Sequence, residues 1–344
     1  MTFTLLLTCV GGELSPQVIR SVKASRRHDV KVIGVDTRPD AAGRHFVDHF
    51  ATVPPGTNSR YVDMIGELAV KHNVDLILPT SDEEAVALSS ARQRLETGGC
   101  RLACAAAAVV KAVSNKAEAY TLFATLGLPV PAWESACSLE ELEGAVEAMI
   151  TSCGEAVVKL AGSRGGRGVC VIRSDVRGAR PYEGGREVHM DQATFRRDYL
   201  EGFAGQLPVV VMQRLVEPVY DIDMLAWEGR PVRVVPRRRI DSALPNEGHT
   251  IVGNPDLVQL GTELIKALGL TWLYDCDIMY DRDGRPGILE VNPRPSGSIA
   301  VTIAAGVPLI DDLISLAKGE PVPEVELPVG RVVIPFKSVA CIRA

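Results

Sequence analysis

Over residues 1–112, apolar runs of strand length alternate with segments of helical period. Phe3 to Cys9 reads as a strand and Ser15 to Ser25 as a helix opened by a serine and a proline. Val30 to Val35 predicts a second strand ending at Asp36, Tyr61 to His72 a helix, Asp75 to Leu78 a third strand, and Asp82 to Leu95 a further helix. Strands alternating with helices in this way predict an open parallel α/β sheet.

A second region begins near Ser114 with a helix over Asn115 to Leu126, and Gly127-Leu128-Pro129-Val130-Pro131 stops it and starts an extended segment. A helix over Leu139 to Ile150 follows, then strands at Ala156 to Leu160 and Gly168 to Arg173 around a glycine-rich turn, which predicts a hairpin that can serve as a flap. Residues 174–190 carry Gly, Arg, Asp and Pro with no apolar period, so no element is assigned there. Strands return at Pro208 to Gln213, Tyr220 to Trp227 and Val232 to Ile240. Helix Asp256 to Leu268 and strands Trp272 to Tyr280 and Gly287 to Val291, turning at Gly284, complete the pattern.

Composition narrows the function. A chain of 344 residues allows two or three domain-sized units, and 46% apolar with 23% charged residues is an ordinary globular mixture. A net charge of −6 argues against the basic surface that non-specific nucleic-acid binding needs and favours small-molecule partners. No apolar run approaches the ~20 residues of a membrane span, and the N-terminus lacks the basic and long apolar regions of a secretory signal. The eight cysteines form no CxxC pair, which suits reduced thiols in the cytoplasm. Cys100 and Cys104 lack the further ligands of a zinc site, and His45 and His49 lack an HExxH context. Gly11-Gly12 and Asp36 suggest a dinucleotide turn, but the GxGxxG spacing is missing.

The chemistry concentrates in three places. In the turn Lys159-Leu160-Ala161-Gly162-Ser163-Arg164-Gly165-Gly166-Arg167-Gly168, backbone N–H groups free of side chains can close over phosphate oxygens beside a fixed lysine charge. A plain glycine hairpin is the alternative. This is not a Walker A loop, because a strand follows the glycines instead of a helix. Further on, antiparallel strands joined at Asp283-Gly284 bring Asp277 opposite Glu290 or Asn292, and alternation puts Glu290, Asn292 and Arg294 on one face. Converging oxygens suit Mg²⁺ with nucleotide phosphates, and Arg294 suits an anionic substrate; a solvated polar face is the alternative. Arg233, Arg237, Arg238 and Arg239 form a basic strand on which 237 and 239 share a face. Arg239, with Arg237 second, is the candidate for a substrate carboxylate, unless the strand is a solvated edge. His249 and Glu247 in the following loop are candidates to reach the same substrate, with placement on the surface as the alternative.

Ser114-Asn115-Lys116, Val158-Lys159 with its glycine turn, Val211 to Val216, and Leu289-Glu290-Val291-Asn292-Pro293-Arg294 stand in an order that resembles the ATP-grasp superfamily. The stretch from Asn292 to Ser298 and on through Ala305-Gly306-Val307-Pro308 looks like the ATP-binding halves of the carbamoyl-phosphate synthase large chain and is similar to single-unit amino-acid ligases of that branch. The likeness covers about residues 1 to 320. One ATP unit in place of two excludes the synthase itself.

The resemblance implies an α/β fold with an N-terminal pre-ATP-grasp domain over 1–112, a small ATP-grasp subdomain with the flap over 113–208 and a large subdomain with the metal site over 209–344. It implies that Lys116 and Lys159 contact ATP phosphates, that Ser163, Gly165 and Gly166 lie in the flap, and that Gln213, Arg214, Leu215 and Val216 form the adenine hinge. Asp221 or Asp223 would hold the ribose, and Asp277, Glu290 and Asn292 would bind Mg²⁺ or Mn²⁺. Arg294 and Arg239 would act in catalysis, with Arg237, Ser296 and Gly297 also near substrate. Gln213 stands where many relatives have Glu, and Val219 where an acid is frequent. The expected reaction is acyl-phosphate formation from a carboxylate and ATP, then capture by an amine, in a cytoplasmic protein with a homodimer as its assembly. A small-molecule kinase of the same fold and a nucleotide-binding regulator are the rival readings.

Overall fold

The computed structural model describes residues 2–162, 168–181 and 187–336. Its first sheet contains β1 (Phe3–Leu7), β2 (Val30–Asp36), β3 (His49–Thr52), β4 (Leu76–Leu78) and β5 (Arg101–Leu102), all parallel, in the order β3-β2-β1-β4-β5. All five residues of β1 are buried, which explains its unbroken apolar run: both faces of a parallel sheet are covered. The connections run through α1 (Ser15–Lys23), α2 (Tyr61–His72), α3 (Asp82–Ser90) and α4 (Arg92–Glu96). The single helix expected over Asp82 to Leu95 is broken at Ala91. Ser81 caps α3 by accepting from the Glu84 amide, and three acids in the first turn suit the helix dipole. The strand order turns back between β1 and β4, so their carboxyl ends open a crevice from which α3 starts.

Two helices, α5 (Ala107–Val113) and α6 (Lys116–Thr125), lead to the second sheet, and Asn115 caps α6 by accepting from the Ala117 and Glu118 amides. This sheet holds β6 (Trp133–Ala136), β7 (Glu155–Leu160), β8 (Val169–Arg173), β9 (Ala179–Pro181), β10 (Glu187–Met190) and β11 (Val209–Met212), backed by α7 (Leu139–Cys153), with the short α8 (Gln192–Thr194) after β10. The order is β6-β11-β7-β8-β10-β9, with β7 and β8 antiparallel as the hairpin reading expects. The turn residues Ser163, Gly165 and Gly166 lie outside the described residues. Within 174–190, where no element was expected, β9 and β10 extend the sheet, and β10 runs parallel to β8. Strands of three and four residues are too short to show a period.

The third sheet is formed by β12 (Val216–Trp227), β13 (Arg230–Arg239), β14 (His249–Ile251), β15 (Trp272–Tyr280), β16 (Pro286–Asn292) and β17 (Val332–Val333), antiparallel in the order β16-β15-β12-β13-β14-β17. α9 (Pro255–Leu268), α10 (Ile299–Ala304) and α11 (Leu309–Lys318) pack around it. Alternation divides the sheet's two faces. Ile222, Met224, Tyr274, Cys276 and Ile278 share a core with Leu257, Leu260 and Leu264 of α9. Gly261 lets this helix approach, since a Cβ there would sit 2.6 Å from the Val234 side chain. The residues between those apolar ones, Asp221, Asp223, Asp275 and Asp277, face the other way and carry the polar chemistry.

The N-terminal unit is fastened to the third sheet by a fully buried acid. Asp312 of α11 lies 2.5 Å from Arg27 Nη1 and 2.9 Å from Arg233 Nε, while Ser315 accepts from Arg27 Nη2 at 2.6 Å. Removing the shared acceptor strands two guanidinium groups. Asp312→Ala is therefore expected to lower stability by roughly 2–3 kcal/mol in urea denaturation, with Asp312→Asn costing less, since an amide oxygen can keep one of the bonds. A variant as stable as the parent would show that this junction contributes nothing.

Candidate functional site

Pairing across the third sheet assembles a row of charge. Asp221 on β12 stands between Arg237 on β13 and Asp277 on β15, and Asp277 faces Glu290 on β16. One step along, Asp223 faces Asp275, which faces Asn292. Asp221, Asp275, Asp277, Glu290 and Asn292 of this row form one wall of a cavity of about 380 Å³ whose other wall comes from the second sheet through Lys159, Val157, Val169 and Met212.

Of the residues singled out in the sequence, Lys116, Lys159, Gln213, Arg214, Leu215, Asp221, Arg239, Asp277, Glu290, Asn292, Arg294, Ser296 and Gly297 line this cavity. Val216, Asp223 and Arg237 do not. Val216 is 38% exposed at the start of β12. Arg237 is fully buried, with Nε 2.9 Å from Asp223 Oδ2 and Nη2 donating to Asp223 Oδ1 at 3.0 Å, while Nη1 donates to the Ser298 hydroxyl at 2.9 Å. Thr302 also donates to Asp223. The substrate contact expected of Arg237 and the ribose contact considered for Asp223 therefore give way to an internal ion pair. Strand alternation gives the face of a residue but not its depth under neighbouring loops.

Asp221 is also engaged internally. It accepts from Arg239 Nε at 3.1 and 3.0 Å and from Arg239 Nη2 at 2.5 Å, and His249 Nε2 lies 2.7 Å away. Burial would raise its pKa, but Arg239, His249 and Arg237 outweigh burial and hold it well below the usual range. His249 is fully buried and its pKa is lowered, chiefly by burial, so it orients Asp221 and does not reach a substrate. The acid that does face the cavity beside the hinge is Glu217, exposed at the start of β12. It stands two residues before Val219, the position where an acid is frequent among relatives, and was not among the residues singled out in the sequence.

The hinge is tied from both sides. Gln213 pairs with Ala132 twice, its backbone amide donating at 2.9 Å and its Oε1 accepting at 2.8 Å, so the side chain secures the segment before β6. Arg214 Nη1 donates to Glu187 Oε2 at 2.9 Å, joining the hinge to β10. These bonds leave the hinge backbone to face the cavity.

Electrostatics here is dominated by burial and crowding. Burial, with help from Lys116, pushes the Lys159 ammonium down to about 8. Lys116 lies 3.4 Å from Glu290 Oε2, and its amide donates to Ala161 O at 3.0 Å, which sets the start of α6 against the end of β7. For Glu290, burial is outweighed by Lys116 and Lys159, and its pKa is lowered. Asp277 is pushed up to about 7 by burial and by Asp221 and Glu290, against the pull of Arg239, whose Nη2 donates to Asp277 Oδ2 at 2.7 Å.

Asp277 Oδ1 and Asp275 Oδ1 are buried without a hydrogen-bond partner among the described residues. One oxygen from each of Asp221, Asp275 and Asp277 falls within 4.8 Å of the others. Crowded carboxylate oxygens left without donors fit a divalent cation. This cluster shares Asp277 with the expected set, brings in Asp275 and the already paired Asp221, and does not include Glu290, while Asn292 is engaged on both sides: Oδ1 accepts from Arg294 Nη2 and Nδ2 donates to Asp275 Oδ2, each at 3.2 Å.

At the other candidate turn, Asp36 Oδ2 accepts from the Gly11 amide at 2.6 Å and Oδ1 from the Arg38 amide at 2.9 Å. Asp36 closes its own turn. Among the described residues no helix is long and apolar enough to cross a membrane.

Comparison with known proteins agrees with this geometry. Residues 206–334 match the family described as ATP-grasp in the biosynthetic pathway with Ter operon, and residues 5–103 match the PylC-like N-terminal domain. No curated protein matches the chain. The biotin carboxylase domain dimer of Hydrogenobacter thermophilus 2-oxoglutarate carboxylase, solved with MgADP, ADP and bicarbonate, superposes with a TM-score of 0.69 at 17% identity, covering 96% of this chain and 73% of that one. N5-carboxyaminoimidazole synthetase from Staphylococcus aureus complexed with ADP gives 0.69 at 13% identity over 97% of this chain and 81% of that one. L-amino acid ligase from Bacillus licheniformis gives 0.63 at 14% identity over 92% and 74%. The fold is shared over almost the whole chain, and along it a PylC-like N-terminal domain precedes a segment that matches an ATP-grasp family, so the chain has the ATP-grasp fold.

Proposed function

We propose that the protein is an ATP-dependent ligase that joins a carboxylate to an amine through an acyl phosphate. The observation that carries this reading is the facing of Asp277 and Glu290 across β15 and β16, with Lys116 and Lys159 on one side and Arg294 on the other, all in one cavity. A triphosphate lying between two lysines and an arginine is neutralised from both ends. The neighbours solved with MgADP or ADP and the neighbour that is an L-amino acid ligase support the same reading.

In this reading the hinge backbone at Arg214 and Leu215 meets the base, and Glu217 takes the ribose in place of Asp221 or Asp223. Asp277, Glu290 and Asn292, with Asp275 beside them, would hold Mg²⁺ or Mn²⁺, which neutralises phosphate charge when bound. Arg239 favours the ionised form of Asp277 against burial and presents the rest of its fork to a substrate carboxylate. That carboxylate attacks the γ-phosphorus and ADP leaves. The amine then displaces phosphate from the acyl carbon. Ser296 and Gly297 border the acceptor side.

Two experiments test this. ADP release from MgATP should require both an acid and an amine when amino acids are supplied pairwise, and Glu290→Gln should lower it about hundredfold or more while leaving the circular dichroism spectrum intact. Release that needs the acid alone would point to a kinase. The second concerns Lys159, whose ammonium loses its charge near pH 8 before phosphates bind. The neutral amine no longer attracts phosphate, so MgADP affinity should fall as pH rises from about 7.5 to about 9.5, and Lys159→Arg, charged throughout, should flatten that limb. An equal decline in both proteins would remove Lys159 from the phosphate site.

A further inference from the structure

Arg294 leaves the third sheet just past Asn292 and carries a long side chain into the cavity. Immobilising such a chain costs up to ~2 kcal/mol, and an arginine serves a transferring phosphoryl group only if it is already in place. Its closest ionic contact comes from the other end of the protein. Nε lies 3.0 Å from Oδ1 of Asp82, the first residue of α3, and the Asp82 side chain is only 6% exposed. Its remaining contacts are longer or neutral: Asn292 Oδ1 at 3.2 Å, Pro295 O at 3.1 Å and Asp275 Oδ2 at 3.7 Å.

Asp82 is held by a frame of its own. Ser81 caps α3 and donates to Glu84 Oε2 at 2.8 Å, and Thr8 donates to the same oxygen at 2.5 Å. The Thr80 amide donates to the Thr8 hydroxyl at 3.1 Å, and the Thr80 hydroxyl to Thr8 O at 2.6 Å. The end of β1, the loop after β4 and the start of α3 are thereby locked together, and Asp82 projects from this lock across the cleft. An ion pair screened from water on a rigid support fixes direction as well as distance.

We propose that Asp82 is the positioning residue through which the N-terminal domain holds Arg294 in its phosphoryl-facing orientation. This rests on the reading of Arg294 given above, and the test separates the two. The probes are MgADP and MgADP with aluminium fluoride, whose planar fluoride stands in for the phosphoryl group in transfer. Asp82→Ala, and Asp82→Asn as a milder second variant, should weaken the fluoride complex about tenfold or more while leaving the MgADP Kd within about threefold. In the background of Arg294→Lys, Asp82→Ala should add little, because a residue that acts through another has nothing left to hold.

Unchanged affinity for the fluoride complex in both Asp82 variants would overturn the proposal. So would equal weakening of both probes, which is what loss of structure alone gives, or independent multiplication of the two losses in the double variant. If Arg294→Lys itself binds the fluoride complex like the parent, the assignment of Arg294 fails, and the role of Asp82 with it.

Discussion

The organising constraint is the concentration of ionised groups on one face of the third sheet. Asp221, Asp223, Asp275, Asp277 and Glu290 lie within a few strand spacings, all buried or nearly so. Such a row survives folding only with compensating charge, because isolated buried carboxylates protonate or pull the structure apart. Arg237 and Arg239 supply that compensation from β13, Arg294 from the loop after β16, Lys116 from the start of α6 and Lys159 from β7. The compensation is uneven. Asp221 is held far below its usual pKa, whereas Asp275 is pushed well above its own, by burial and by three neighbouring acids. Asp275 and Asp277, the acids raised in this way, both line the cavity, so perturbed carboxylates and the candidate ligand site coincide.

Much of this was legible in the sequence because antiparallel alternation is a strict rule. The turn at Asp283-Gly284 and the length of the two strands put Asp277 opposite Glu290 or Asn292, and the structure pairs it with Glu290. The arginine strand could be assigned a face, and the order of the motifs carried the superfamily resemblance. The sequence did not encode depth. Arg237 and Arg239 are equivalent in any two-residue period, yet one is fully buried between Asp223 and Ser298, just before α10, and the other borders the cavity. The same blindness applies to Asp221 against Glu217: the acids that looked most strand-like were the ones consumed by internal pairs, and the ligand-facing acid sat at a strand end beside a proline. Short elements such as β9, β10 and β14 were missed because they derive their stability from neighbours already in the sheet rather than from a pattern of their own.

The two faces of the third sheet also explain the division of labour among the helices. α9 packs closely on the apolar face, with Gly261 removing the last obstacle, and fixes the register of β12 and β15. A one-residue slip would turn every acid of the row into the helix interface, at a cost no local contact could offset. Register at the site is thus specified by hydrophobic packing on the opposite side, and site residues are free to be chosen for charge alone.

That freedom has a limit at the junction of the domains. The N-terminal unit holds no acid or base of the proposed chemistry, yet it sends Arg27 to Asp312 and Asp82 to Arg294 on the face of the third sheet that carries the acid row. Two separate ion pairs resist rotation of the N-terminal unit better than either would singly, because a pivot about one pair pulls the other apart. With a single pair the unit could pivot about it. The contact of Asp82 with Arg294 therefore ties the start of α3, at the crevice beyond the carboxyl ends of β1 and β4, to the wall of the cavity.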